Sequence, residues 1–171
     1  MDKDQLAKRI YSISHLTGNF ILRSGKESKE YFDKYMFESD PLLLTEIARH
    51  LSELIPEGTE VLAGLELGGV PIATALSLET GIPAVFVRKK AKSYGTKNLA
   101  EGFDVREKKT CIIEDVTSTG GQIAESAREL RKLGAIVDNV ICVIVRDNNQ
   151  LDGHNFNWFG RAVHWTISVK A

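Results

Sequence analysis

Two periods of apolar and polar positions run along this chain, and they set out its elements. Leu6, Ile10 and Ile13 recur at helical spacing behind Asp2 and Asp4. This predicts a capped helix from Asp2 to about His15, stopped by Gly18. Phe20-Ile21-Leu22, the polar turn R-S-G-K-E-S-K-E and Tyr31-Phe32-Asp33 read as a small hairpin. Asp40-Pro41 opens a helix that carries Leu43, Leu44, Ile47, Leu51 and Leu54 to Pro56. Val61 to Leu65 is a strand, E-L-G-G a turn, and Val70 to Thr80 a helix ended by Gly81. Ala84 to Val87 is the next strand, while Arg88 to about Phe103 has no clean period and reads as a long loop. A strand from Thr110 to Ile113 leads into a helix with Ile123, Ala127, Leu130 and Leu133 on one face, ended by Gly134. Ile136 to Val145 is a long apolar strand, Asn148 to Gly160 is polar and turn-rich, and Arg161 to Val169 is a last strand.

Strands that alternate with helices predict an α/β fold with a mostly parallel central sheet covered on both faces. A chain of 171 residues suits one domain spanning 1–171. Parallel sheets bind ligands at the carboxyl ends of their strands. Here those ends fall after Leu65, Val87, Ile113 and Val145.

Composition narrows the classes. A net charge of −1 gives no general attraction to nucleic acid or to an anionic membrane. No apolar run is long enough to span a bilayer, and the charged, periodic N-terminus is unlike a signal peptide. Cys111 and Cys142 lie in apolar runs, without metal-ligand spacing, and read as buried thiols in a reducing compartment. A cytoplasmic location is the expectation. His15, His50, His154 and His164 form no metal spacing and read as structural or solvent-facing.

The stretch with the most chemistry is T-C-I-I-E-D-V-T-S-T-G-G-Q-I-A, Thr110 to Ala124. After the apolar run come Glu114 and Asp115, the hydroxyls of Thr117, Ser118 and Thr119, then Gly120 and Gly121 and a helix. Hydroxyls and glycine N–H groups at a helix start form an anion site. Glycine also lets the backbone approach a phosphate closely. The acids do not bind phosphate themselves. They fit ribose hydroxyls, or a Mg²⁺ that itself carries phosphate. A plain strand-to-helix turn needs only one capping hydroxyl, and this stretch has far more.

Two further loops fall on the same side of the predicted sheet. Arg88, Lys89, Lys90, Lys92 and Lys97 gather five cations with no acid between them, which fits a polyanion. A solvated surface loop is the plain alternative, weakened by the position at a strand end. Glu66-Leu67-Gly68-Gly69 precedes a helix, so its N–H groups fit a second phosphate, or merely a Gly-rich turn. Neither a dinucleotide G-x-G-x-x-G nor a G-x-x-x-x-G-K-[ST] loop is present.

E-D-V-T-S-T-G-G resembles the ribose-5-phosphate signature of the type I phosphoribosyltransferases, and its Glu-Asp order resembles the orotate phosphoribosyltransferases. R-K-K-A-K-S-Y-G-T-K-N-L-A-E-G is similar to that family's mobile catalytic loop, with Tyr94 where many members have His. L-R-S-G-K-E-S-K-E-Y-F-D is similar to the family's L-K-S-G-…-Y-F-F segment, with Arg23 in place of Lys.

The resemblance implies a type I phosphoribosyltransferase fold, with N-terminal hood elements at about 18–37 and a mobile loop at about 88–103. It implies transfer of phosphoribose from phosphoribosyl pyrophosphate to orotate, with Mg²⁺ held mainly by pyrophosphate and ribose oxygens and no protein ligand singled out. Lys92, Asp115 and Glu114 are then the catalytic residues. Arg88, Lys89, Lys92, Tyr94 and Arg23 (or Lys26) would contact the pyrophosphate or phosphate. The run Glu114, Asp115, Val116, Thr117, Ser118, Thr119, Gly120, Gly121 and Gln122 would hold the phosphoribosyl part. Ser118, Arg146, Tyr31 and Phe32 would meet orotate, with Arg146 facing its carboxylate and the two aromatics flanking its ring. A homodimer that shares the basic loop in trans is implied as well. Two alternatives stand beside this reading. One is a phosphoribosyltransferase for a purine base, against which Tyr31-Phe32 and Arg146 argue. The other is a non-catalytic regulator that senses phosphoribosyl pyrophosphate, against which the basic loop argues.

Overall fold

A computed structural model describes residues 1–22, 25–90, 99–117 and 120–145, together with the backbone of 164–165. Asp2 closes a capping box with Gln5 and starts α1 (Lys3–Ser14), which buries Leu6 and Ile10. The helix ends at the predicted boundary, but the next strand begins there rather than at Phe20. His15 adopts an extended backbone and becomes the first residue of β1 (His15–Ile21), paired with Phe32 of β2 (Glu27–Phe32). Gly18 therefore lies within a strand, beside a register shift between Thr17 and Phe20. Both hairpin strands are longer than their apolar cores because their outer positions are polar and exposed.

A four-residue helix, α2 (Tyr35–Glu38), follows the hairpin and buries Phe37 and Glu38. One turn is too short to show a period, so the sequence did not disclose it. Asp40 caps α3 (Pro41–Ser52) by accepting from the N–H groups of Leu42 and Leu43, as Asp40-Pro41 predicted.

The main sheet has the order β5-β4-β3-β6-β7-β8, formed by β3 (Val61–Leu65), β4 (Ala84–Val87), β5 (Ala100–Gly102), β6 (Lys109–Thr117), β7 (Ile136–Val145) and β8 (His164–Trp165). Every pairing is parallel except β4 with β5. The predicted long loop from Arg88 to Phe103 thus ends in a short strand that returns along β4, with Val87 opposite Ala100 and Val85 opposite Gly102. Three residues carry no readable alternation. Of the predicted last strand, His164 and Trp165 are described and lie beside β7.

Two apolar layers sandwich the sheet. On one face Leu62, Cys111, Ile113, Ile141 and Val143 pack with residues of α1, α3 and α4 (Gly69–Thr80). On the other, Ala63, Val85, Ile112 and Val137 pack with Ile123, Ala127 and Leu130 of α5 (Gly121–Lys132). From β3 the chain moves to β4 on one side, and from β6 to β7 on the other. Neighbouring strands that send the chain in opposite directions leave a crevice between their carboxyl ends. The crevice between β3 and β6 is where the candidate loops converge.

Candidate active site

β6 runs four residues beyond Ile113, so Glu114, Asp115, Val116 and Thr117 are strand residues rather than the start of a loop. Strand alternation turns Asp115 to the same face as Cys111 and Ile113, toward α4. The side chain of Asp115 is completely buried. Its Oδ2 is ion-paired with Lys34 Nζ, and its Oδ1 accepts from Val116 N–H at 2.5 Å. Glu38 and Glu114, also buried, bring two more carboxyls to the same point.

Three carboxyls this close cannot all ionise in a dry site. Burial, followed by hydrogen bonding to Asp115, pushes Glu38 up to about 9. The same causes push Glu114 up to about 9. Burial works against ionisation of Asp115 too, but hydrogen bonds from Glu114, Glu38 and Lys34 and the charge of Lys34 outweigh it and hold Asp115 below its ordinary value. The arrangement is one carboxylate, Asp115, receiving from two protonated glutamates and one ammonium.

The turn between β3 and α4 closes over this cluster. A Cβ at Gly68 would lie 1.6 Å from Asp115 Oδ2 and 2.6 Å from Glu38 Oε1, and one at Gly69 would lie 2.4 Å from the Ile113 carbonyl oxygen. These glycines are therefore required for close approach to β6, whatever their N–H groups bind. The Glu66–Leu67 peptide is cis. Glu66 ties the turn to the next strand end: its N–H donates to Val87 O at 2.8 Å, and its Oε1 accepts from Lys89 N–H at 2.7 Å.

On the other side of the crevice Gly120 takes a φ of 70° and starts α5. Among the described residues no side chain caps this helix, and Gly121 and Gln122 are exposed. The predicted phosphate cradle falls on this helix start. Ser118 and Thr119, predicted within it, lie outside the described residues.

The basic loop leaves from the end of β4. Lys89 and Lys90 are exposed, and Arg88 pairs with Glu101 of β5 at 3.5 Å. Lys92, Tyr94 and Lys97 lie outside the described residues, as do Arg23, Arg146 and the polar tail. In the hairpin, Lys26 is exposed. Tyr31 is exposed and stacks on Phe20 with centroids 5.4 Å apart, while Phe32 packs against the core. Consecutive strand residues point to opposite faces. The structure does not bring these two rings to one side of a common space.

Sequence reasoning missed Lys34 and Glu38. They stand one helical turn apart around Phe37, and D-K-Y-M-F-E-S-D reads from sequence as a surface ion pair beside an aromatic. The available signal was the buried Phe37, which fixes the turn against the core and carries both neighbours inward.

Among the described residues no group of three or more His, Cys, Asp or Glu is arranged to hold a metal ion, and no helix is long and apolar enough to cross a membrane.

Residues 36–164 match the phosphoribosyl transferase domain family. An orotate phosphoribosyltransferase of Nocardioides is 56% identical over 141 residues, covering 82% of this chain and 79% of that protein. The chain belongs to the orotate phosphoribosyltransferase family. Solved members share its fold over nearly the whole length. The Mycobacterium tuberculosis orotate phosphoribosyltransferase in complex with Fe(III) dicitrate superposes with a TM-score of 0.85 at 27% identity, covering 99% of this chain and 97% of that one. The same enzyme in complex with phosphoribosyl pyrophosphate gives 0.79 at 25% identity, covering 98% and 96%. The type I phosphoribosyltransferase fold implied by E-D-V-T-S-T-G-G is thus the observed one, with its acid pair and helix start at the sheet's switch point.

Proposed function

We propose that this member of the family transfers the phosphoribosyl group of phosphoribosyl pyrophosphate to orotate, giving orotidine 5′-monophosphate and pyrophosphate on the route to UMP. The observation that supports the reading is that Glu114 and Asp115 end β6 at the switch point of the sheet and are followed a few residues on by the start of α5. The names of the relatives favour orotate over a purine base and catalysis over sensing.

In the reaction the anomeric carbon loses pyrophosphate and accepts a ring nitrogen. Positive charge builds on the sugar and negative charge on the leaving group. The N–H groups of Gly121 and Gln122, with Thr117, Ser118 and Thr119, hold the 5′-phosphate and turn a loose encounter into an aligned one. Asp115 and Glu114 lie under the ribose and fix its hydroxyls, and the anionic Asp115 steadies the cationic sugar. Lys89 and Lys92, with Arg88 once it leaves Glu101, neutralise the departing pyrophosphate. Arg146 faces the orotate carboxylate with its planar fork. The hood residues meet the base, with Tyr31 more open to a ligand than Phe32.

Magnesium fits as an ion carried by the substrate. Asp115 is already engaged by Lys34 and Glu38, and Mg²⁺ commonly keeps its waters and binds substrate phosphates with few protein carboxylates. When bound it supplies charge neutralisation on the pyrophosphate. Closure of the basic loop over the site excludes water and prevents hydrolysis of the activated sugar. The loop reaches the neighbouring subunit's site, which makes the working unit a homodimer. The buried thiols of Cys111 and Cys142 suit a reducing cytoplasm.

The direct test is the fall in orotate absorbance with phosphoribosyl pyrophosphate, with and without magnesium, beside a panel of purine bases. Consumption of orotate alone supports the proposal. Turnover of a purine with orotate untouched overturns it.

A further inference from the structure

We propose that Lys34 and Glu38 are positioning residues for the transfer reaction, fixing the Asp115 carboxylate as an anion in a single orientation on the floor of the ribose pocket. The inference rests on the ribose role given to Asp115 above, and adds two residues from an element that no sequence motif marked.

The geometry carries it. Asp115 has no exposure at all, and a carboxylate removed from water without partners takes up a proton instead. Its partners come from the hood. Lys34, just before α2, is ion-paired with Oδ2, and Glu38, one turn further on, brings its Oε1 to the same space beside Gly68. Phe37, at 0% exposure, anchors the short helix between them, so the pair is presented by a packed element rather than by a loose loop. Gly68 leaves the space in which the groups meet: a Cβ there would strike both Asp115 and Glu38.

Other elements packed around Asp115 bring further groups to it. From β6 itself comes Glu114, and from β7 the Cys142 thiol, 3.6 Å from the Asp115 carbonyl oxygen. From the β3–α4 turn comes only backbone. Among the described residues Lys34 is the cation ion-paired with Asp115, and its side chain is 30% exposed. It sits between the buried anion and the open crevice.

A carboxylate in this state accepts from ribose hydroxyls and opposes the positive charge of the loosening sugar. A protonated one does neither well. Glu38 acts in its protonated form, as a donor to Asp115, so an amide at that position should replace it. An ordinary surface ion pair would show no such preference.

The test uses the full-length protein, with steady-state kinetics in both substrates from pH 5 to 9 and thermal melts of each variant. Lys34→Met is expected to lower kcat at least about ten-fold with a smaller change in KM for orotate, and to shift the acid limb of kcat/KM upward by about one pH unit. Lys34→Arg returns the limb toward its original place. Glu38→Ala is expected to lose about ten-fold in kcat, and Glu38→Gln to return to within about three-fold of the unmodified protein. An unmoved acid limb in folded Lys34→Met overturns the proposal. So does a Glu38→Gln variant as slow as Glu38→Ala, and that pair decides the matter if Lys34→Met does not fold. An unmodified protein that consumes no orotate overturns the functional reading instead.

Discussion

Gly68 and Asp115 occupy space that only one of them can fill: a methyl group on the glycine would lie 1.6 Å from the carboxylate oxygen. The two residues stand 47 positions apart: Gly68 lies in the turn after β3, and Asp115 on β6, the parallel neighbour of β3. Gly68→Ala must therefore push the acid, the turn, or both. Activity should fall by about 100-fold, the scale expected when a reacting geometry is displaced by about 1 Å. The orotate absorbance assay measures the loss, and a far-UV spectrum like that of the unmodified protein places it in the site rather than in the fold. Activity within a few-fold of the original would show that the crevice has slack.

The basic loop is a second point of attack. Lys92→Ala should reduce kcat by about 10²–10³, the usual range for removing one donor to developing charge. Mixing inactive Lys92→Ala with inactive Asp115→Asn then tests sharing between subunits. If the loop acts in trans, random exchange gives half mixed dimers, each with one intact site, and about a quarter of the original activity returns. No recovery after confirmed exchange would place the loop in its own subunit's site.

Stability should depend on pH through the glutamates. Glu38 and Glu114 have folded-state values near 9, far above those of an unfolded chain. The folded protein thus binds these protons more tightly than the unfolded one. The stabilisation is complete below the ordinary carboxyl range and fades as pH rises toward about 9. Calorimetric melts should show Tm dropping between pH 6 and pH 9.5, and dropping less in Glu38→Gln, which has one titrating proton fewer. Parallel Tm slopes for the two proteins would contradict a protonated Glu38.

Magnesium should matter to turnover and not to the free protein. Chelation is expected to abolish orotate consumption and added Mg²⁺ to restore it, while Tm without substrate stays within about a degree in either condition, because an ion held by substrate does not bind the free folded state. A clear magnesium-dependent rise in the free protein's Tm would place the ion on protein ligands.

Much of the site could be read from the chain because its parts are local. The apolar run before Glu114, the small residues after Val116 and the start of α5 form one continuous segment, and E-L-G-G and R-K-K-A-K are likewise contiguous. What could not be read depends on distant approach. Lys34 and Glu38 gain their meaning only when α2 folds against the end of β6, and a single helical turn leaves no periodic trace. β5 escaped for the same reason. The start of β1 falls at His15 rather than Phe20 because Thr17, Gly18 and Asn19 are exposed and carry no apolar signal, and only pairing with β2, His15 opposite Phe32, makes them strand. The glycines of the β3–α4 turn stood out from sequence as a phosphate loop, and the structure supplies a separate reason for them: packing against β6 demands them.

β6 lies between β3 and β7, and both neighbours join it side by side in parallel rather than through a hairpin. A nascent polypeptide that has finished α4 and β4 already has the glycine turn but nothing for it to close upon. The pocket floor is assembled only when a segment made more than forty residues later slides in beside β3. An incomplete chain on the ribosome therefore carries the glycine turn without the carboxylate it packs against.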